Sequence, residues 1–253
     1  MIFNTFGEND KPIFILIHGI WMPWQCWQSY IDELQKNYYV IVVVLDAHVE
    51  NEVSEFVSIG DETKKIVNWL VTNCYTNLFA IYGISMGGVI AYRIACDNHI
   101  SLQKIILDGA PLVATPPFLK LFMKWQYQRL LHQMQQRKSQ ALIGFEKNFL
   151  PKRYLENFLN FADTMTDRSI VNMIDSLGNS QFQYHLNSAD IRILYLHGTK
   201  INEILSKKTA RMLSKLVPAT TVISFKGYAH AELAIYHFEE CMQVLNQFIH
   251  PQS

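Results

Sequence analysis

None of the cysteines in this chain has a partner at motif spacing. Cys26, Cys74, Cys96 and Cys241 are scattered with no C-x-x-C pair and no metal-like interval, which argues against a zinc site or a disulfide scaffold. Their apolar or helical surroundings are those of reduced core residues. Charge of one sign is missing too: Lys plus Arg and Asp plus Glu both number 22, which leaves no electrostatic footprint for nucleic acid. A small neutral or apolar substrate suits that balance better. No apolar run reaches the roughly 18 residues of a membrane span, and residues 1–6 carry no basic region leading into an apolar stretch. A soluble cytoplasmic protein without a membrane span is therefore expected. Repeats and low-complexity tracts are also lacking.

What the chain does have is apolar substance. With 49% hydrophobic residues among 253, it can build one large α/β core with an inserted subdomain and without disulfides. Residues 12–17 (PIFILI) and 38–45 (YYVIVVVL) are continuous runs of strand formers, the pattern of strands buried on both faces of a parallel sheet. They end at His18-Gly19-Ile20 and at Asp46-Ala47-His48. Short strands are expected again over residues 104–107, 191–196 and 220–225, with helices between them. Ser58-Ile59-Gly60-Asp61 reads as a capping box opening a helix that carries Ile66, Trp69 and Leu70, and Ser206 reads as the cap of a later helix stopped by Pro218. Alternating strands and helices predict a doubly wound, mostly parallel sheet, whose ligand site lies beyond the carboxyl ends of its strands. Trp21, Trp24 and Trp27 read as packing residues, with lining of an acyl pocket as their alternative role.

The stretch that organises the rest is residues 78–92, LFAIYGISMGGVIAY. A strand meets Gly83-Ile84-Ser85-Met86-Gly87 and continues as a helix, placing a serine at a tight turn. Glycine on both sides suits a strained elbow that lifts the Ser85 hydroxyl clear of the sheet. Gly87, Ala91 and Ala95 recur every four residues, so one helix face is small enough to lie close to the strands. In serine acyl transfer the developing oxyanion needs two backbone donors. The Met86 N–H, just after the nucleophile, and the Ile20 N–H of the loop after the early strand are the candidates.

Residues 111–186 break the alternation. No β-rich run occurs, while Phe118, Leu121, Phe122 and Trp125 share one helical face and Leu130, Leu131 and Met134 continue a shifted stripe. Such stripes predict packing against the main domain. Inserted where the sheet opens its site, the segment is expected to be a helical cap, with residues 1–110 and 187–253 forming the core domain.

The sequence resembles the α/β-hydrolase superfamily, over nearly the whole chain. The resemblance rests on His18-Gly19, Gly83-Ile84-Ser85-Met86-Gly87-Gly88, Leu107-Asp108-Gly109-Ala110-Pro111 and Gly227-Tyr228-Ala229-His230, taken in their order and spacing. It implies the α/β-hydrolase fold with Ser85 as nucleophile and His230 as its base. Members typically carry Asp three residues beyond the glycine that ends the penultimate strand. Here that residue, three beyond Gly198, is Ile201, followed by Asn202 and Glu203. Glu203, on a loop two residues longer, is the preferred triad acid; Asp108 is the competitor, and a missing acid is the third alternative.

The chemistry expected is hydrolysis of a carboxylic ester or thioester of a small apolar acyl substrate through an acyl-enzyme on Ser85. No metal or organic cofactor is required, and nothing in the pattern sets an oligomeric state. Two other readings compete. One keeps the fold but performs carbon–carbon bond hydrolysis or acyl transfer; the other is a non-catalytic, hydrolase-like binding protein that captures an apolar ligand.

Overall fold

Residues Val40 to Val43 are wholly buried, as are Phe14 to Ile17, and these two runs pair as neighbouring inner strands of a single sheet. The computed structural model describes residues 1–250. In chain order it contains β1 (Ile2–Phe6), β2 (Ile13–Ile17), α1 (Gln28–Leu34), β3 (Tyr39–Val44), α2 (Ile59–Thr72), β4 (Asn77–Ile84), α3 (Met86–Ile94) and β5 (Ser101–Asp108). Four helices follow without a strand among them: α4 (Pro117–Gln135), α5 (Ser139–Asn148), α6 (Leu155–Ala162) and α7 (Asp167–Leu177). The sheet then resumes with β6 (Arg192–Gly198), α8 (Ile204–Leu216), β7 (Thr221–Phe225), α9 (Glu232–Tyr236) and α10 (Phe238–Ile249).

The strand order is β1-β3-β2-β4-β5-β6-β7. All neighbours are parallel except β1, which runs antiparallel along β3 from Ile2↔Val44 to Phe6↔Val40. The chain winds outward one way from β2 to β3, then returns and winds the other way from β4. The crevice between the carboxyl ends of β2 and β4 is therefore the switch point at which doubly wound sheets bind ligands. His18-Gly19 leaves one side of it and Ser85 the other.

Helices cover both faces because both faces of the strands are apolar. The α2 helix opens as its sequence implies, with the Ser58 hydroxyl accepting from the Asp61 N–H at 3.0 Å, and buries Ile66 and Leu70. Trp69 on the same helix stacks flat on Phe3 at 4.1 Å, which holds β1 to the sheet edge. Trp27 is buried against Tyr30 and Tyr82, and the Tyr30 hydroxyl donates to the Ala234 carbonyl at 3.0 Å, joining α1 to α9. The α10 helix buries Cys241, Met242, Leu245, Phe248 and Ile249.

Several expectations need correction. The β1 strand has no counterpart in the sequence reading: five residues without alternation or a turn signal become a strand through pairing with β3 and the Trp69 stack. The β5 strand starts at Ser101 rather than residue 104, because its first half alternates exposed and buried positions and Lys104 lies over the Phe79 ring at 4.0 Å. Ser206 is not a cap. It lies inside α8, buried, with its hydroxyl donating to the Gly109 carbonyl at 3.2 Å. Cys74 is exposed at the left-handed turn after α2, not in the core. The largest departure is on α4: Phe118, Leu121, Phe122 and Trp125 share a face as expected, but that face points outward. The helix buries Leu131 and Met134 instead.

Candidate active site

The site begins with a backbone distortion. Ser85 sits between β4 and α3 at φ 52°, ψ −115°, a region that costs a non-glycine residue about 1–3 kcal/mol and persists only where the surroundings enforce it. Two close approaches do so here. A Cβ on Gly83 would overlap the Gly87 backbone, and a Cβ on Gly87 would overlap the carbonyl oxygens of Ile17 and His18. Glycine lets α3 start directly against the end of β2. The Ser85 N–H donates to the Asp108 carbonyl at 2.7 Å, extending the β4–β5 ladder past the turn. The serine is half-buried, and its hydroxyl makes no hydrogen bond among the described residues.

Gly19 packs on the other side of the serine: a Cβ placed there would lie 3.2 Å from the Ser85 Cβ. The loop that follows is held by two histidines. His18 donates from Nδ1 to the Gly19 carbonyl at 2.9 Å and accepts the Leu45 N–H on Nε2 at 3.1 Å. His48 donates from Nδ1 to the Asp46 carbonyl at 3.0 Å and accepts the Trp21 N–H on Nε2 at 3.1 Å. Accepting on Nε2 requires a neutral ring, and burial keeps both neutral. Burial lowers the His18 pKa to about 4 and holds His48 well below the ordinary imidazole value, where the charge of His18 adds to the effect. The Trp21 N–H is given to His48 and the Met22 N–H to the Gly19 carbonyl, and the Ile20 N–H is among those of that loop left without an acceptor in the described residues. Met86 is the first residue of α3, so its N–H has no intrahelical acceptor.

Glu203 and His230, the expected acid and base, arrive from the far end of the chain. The loops after β6 and β7 are laced together: Thr199 and Lys200 both donate their N–H to the Tyr228 carbonyl at 3.0 Å, and the Gly227 N–H donates to the Thr199 hydroxyl at 2.7 Å. Lys200 also reaches Glu232 at 3.0 Å, and Glu232 accepts the Ala229 N–H at 2.6 Å. This lacing places His230 beside Glu203, with Nδ1 and Oε1 3.0 Å apart. Ile201–Glu203 form a single 3-10 turn that points Ile201 into solvent and buries Glu203 completely. The two residues beyond the usual acid position are thus absorbed in one turn. Glu203 Oε2 is buried without a hydrogen-bond partner among the described residues.

Asp108 occupies a different niche. It is buried below the site and accepts from the Tyr82 hydroxyl at 3.1 Å. Burial, followed by the charge of Glu203, pushes its carboxyl up to about 7. Burial also works against the Glu203 anion, but the hydrogen bond and charge of His230 outweigh it and hold Glu203 below the usual carboxylate range. For His230, burial disfavours the cation; the Glu203 hydrogen bond and charge, with a smaller contribution from Asp108, reverse this and raise its pKa above the ordinary value. The imidazole is thus paired with Glu203, and Asp108 acts on it only through space. His230 also lies against Gly109, where a Cβ would sit 2.7 Å from Cε1. Ser85 and His230 therefore border neighbouring residues of one segment, Ser85 through its N–H on the Asp108 carbonyl and His230 through its ring against Gly109.

Asp46 stands apart from this group. Its carboxylate binds Lys65 at 2.6 Å, which also reaches Asp61 at 2.6 Å. Asp46, Asp61 and Glu62 lie close enough together to share a cation, and the Lys65 ammonium already serves them. The roles of His48 as a loop staple and Glu232 as a loop tie were not foreseen from the sequence. A histidine four residues past the end of β3 is the only hint of the first.

The inserted helices meet this edge through aromatic rings. Trp21, next to Ile20, packs on Tyr127 of α4 at 4.6 Å, on Phe158 of α6 at 5.8 Å and on Phe145 of α5 at 6.0 Å. His48 packs on Phe161 of α6 at 5.1 Å. No helix among the described residues is long and apolar enough to cross a membrane.

Comparison with known proteins agrees with the architecture. The family model described as serine aminopeptidase, S33, matches residues 9–234. The pimeloyl-[acyl-carrier protein] methyl ester esterase of Legionella pneumophila (strain Corby) is 22% identical over 250 residues, covering 97% of this chain and 98% of the relative. Among solved structures, one assigned to the α/β hydrolase family from Desulfitobacterium hafniense superposes with a TM-score of 0.76 at 19% identity, covering 97% of this chain and 99% of the other. A carboxylesterase of Nitrososphaera gargenis gives a TM-score of 0.75 at 15% identity, covering 98% and 93%.

Proposed function

Because the chain belongs to the serine aminopeptidase S33 family of α/β hydrolases, we propose that it is a serine carboxylic-ester hydrolase working through an acyl-enzyme on Ser85. The observation that carries this reading is the Glu203–His230 pair at 3.0 Å, set against the Asp108–Gly109 segment that also receives the Ser85 N–H. A serine hydroxyl is a poor nucleophile near pH 7 without a base close by, and an imidazole oriented by a buried carboxylate supplies one. His230 takes the Ser85 proton as Oγ bonds to the acyl carbon, and it returns that proton to the departing alcohol. It next deprotonates a water, whose oxygen bonds to the acyl carbon, and it returns that proton to Ser85 Oγ as the acyl–Oγ bond breaks, which releases the acid and restores the hydroxyl. Hydrogen bonds of this kind often tighten only once substrate is bound, so a free Ser85 hydroxyl is compatible with the role.

Glu203 is the acid of the proposal. It fixes the Nδ1–H tautomer and stabilises the imidazolium, while Asp108, pushed up to about 7, is a poor partner for a cation. The Ile20 and Met86 N–H groups hold the oxyanion, each worth on the order of 3 kcal/mol in the transition state. The α4–α7 segment, residues 111–186, is read as a cap, because its rings close over Trp21 beside the oxyanion loop. A small apolar acyl group fits such walls, and the esterase activity named for the Legionella relative supports an ester as the bond cleaved. A cytoplasmic location belongs to the same reading.

The test is turnover of short-chain p-nitrophenyl esters by the purified chain, with alcohol and acid measured together. Equal release of both, abolished in Ser85→Ala and in His230→Ala, is the expected result. Unchanged turnover in Ser85→Ala would sink the proposal.

A further inference from the structure

The cap helix α4 presents an apolar face to solvent. Phe118, Leu121, Phe122 and Trp125 are 76%, 71%, 53% and 54% exposed, at the i, i+3, i+4, i+7 spacing of one helical stripe. Isolated exposed apolar residues need no explanation, but four large ones in a row do. The charge around them is uneven. Residues 111–154, which run through α4 and α5, hold eight Lys and Arg against one acidic residue, Glu146, while the rest of the chain holds fourteen against twenty-one. The α4 helix contains no Asp or Glu at all. Arg129 continues the stripe one turn past Trp125, with its guanidinium over the indole at 5.3 Å. The acids nearest the helix are already engaged: Asp175 binds Lys124 at 2.6 Å and Asp167 binds His132 at 2.9 Å.

We propose that this stripe docks the enzyme on an anionic lipid surface, with α4 lying in the plane of the interface. Phe, Leu and Trp on one face, continued by Arg129, in a helix that itself carries no acid, form the pattern of an interfacial helix. Trp and Arg are the side chains that settle at the headgroup boundary. The helix is not a span, being neither long nor apolar enough to cross. A second copy of the chain is a poorer occupant, because self-pairing would bring two basic segments together. Anionic lipid supplies the opposite charge, at about 1 kcal/mol for each basic residue near the surface. The stripe is separate from the residues placed around Ser85, so docking and chemistry can be measured independently.

The experiment is flotation of the full chain with phosphatidylcholine vesicles containing about 30% phosphatidylglycerol, and with phosphatidylcholine alone. Recovery with the anionic vesicles, reduced by high salt and weak on the neutral ones, is expected. The double variant Leu121→Ser/Trp125→Ser is expected to lose at least about tenfold in partition coefficient, and Arg129→Glu about tenfold, with melting temperature and p-nitrophenyl ester turnover unchanged. No flotation of the wild-type chain, or equal flotation of the double variant, overturns the proposal. So does a dimer in sedimentation equilibrium that the double variant abolishes, which would assign the stripe to a second copy. Capture of an acidic carrier protein by the stripe, without vesicle binding, overturns it as well.

Discussion

Replacing Glu203 by Gln tests the division of labour between the two carboxylates. The change removes one charge from an Nδ1–Oε1 contact of 3.0 Å. At an effective dielectric of about 20 the attraction across that distance is about 5 kcal/mol, an upper bound on its worth. The His230 side chain is 31% exposed, and screening by water leaves about 3 kcal/mol, or about 10²-fold in rate. A glutamine can also turn its amide N–H toward Nδ1 and hold the ring in the wrong tautomer, which brings the expected fall in kcat to about 10³–10⁴. Asp108→Asn removes a carboxyl already pushed up to about 7, half neutral near neutral pH, and should cost within about tenfold. The pH profile separates the two further. Glu203 raises His230 above its ordinary value, and the base must be neutral to accept the serine proton. The acid limb of kcat/KM should therefore have its midpoint above about 6.5 in the wild type, and at or below it in Glu203→Gln, where burial is less opposed. Stopped assays with p-nitrophenyl butyrate from about pH 5 to about pH 9 would measure both quantities. A larger loss in Asp108→Asn than in Glu203→Gln, or an acid limb that does not move in Glu203→Gln, would refute the assignment.

Two further predictions concern the scaffold. Gly87→Ala places a methyl group on the carbonyl oxygens of Ile17 and His18 and should cost about 3 kcal/mol or more, lowering Tm by about 6–12 °C; Gly144→Ala, on an open face of α5, should be neutral or slightly stabilising. Matching thermal melts of the two variants would contradict the close packing at the elbow. His18 is lowered to about 4 in the folded chain against about 6.5 unfolded, so its stabilisation is complete above about 6.5 and is lost as pH falls toward about 4, by up to about 3 kcal/mol. The difference in urea unfolding free energy between the wild type and His18→Gln should shrink by that amount over the interval. A difference constant with pH would mean that His18 is not the buried neutral acceptor described.

The central strands were legible because they are buried on both faces, so composition alone marks them: the expected runs at residues 12–17 and 38–45 agree with β2 and β3 within a residue at each end. The Ser58 cap was equally clear, since a hydroxyl three residues before a free N–H has one common use. Whatever depends on a distant partner was harder to read. The β1 strand is specified by β3 and Trp69 rather than by its own pattern. On α4 two apolar stripes compete, and periodicity does not say which one the domain covers; the tertiary structure chose Leu131 and Met134 and left Trp125 outside. At the site, the sequence named Glu203 and Asp108 as rival acids. Their difference arises from a 3-10 turn and from the lacing of two loops through the Tyr228 carbonyl, neither of which has a local signature. His18 was noticed for its position after a strand, but its work as an acceptor for Leu45 depends on a neighbouring strand end.

Activation of Ser85 as a nucleophile is the property on which every proposed step depends. Intact-mass analysis of the purified chain after exposure to a fluorophosphonate should show one adduct per molecule, mapped by peptide sequencing to Ser85, absent from Ser85→Ala and formed far more slowly in His230→Ala. An unmodified chain, an adduct on another residue, or labelling that proceeds equally fast without His230 would contradict it.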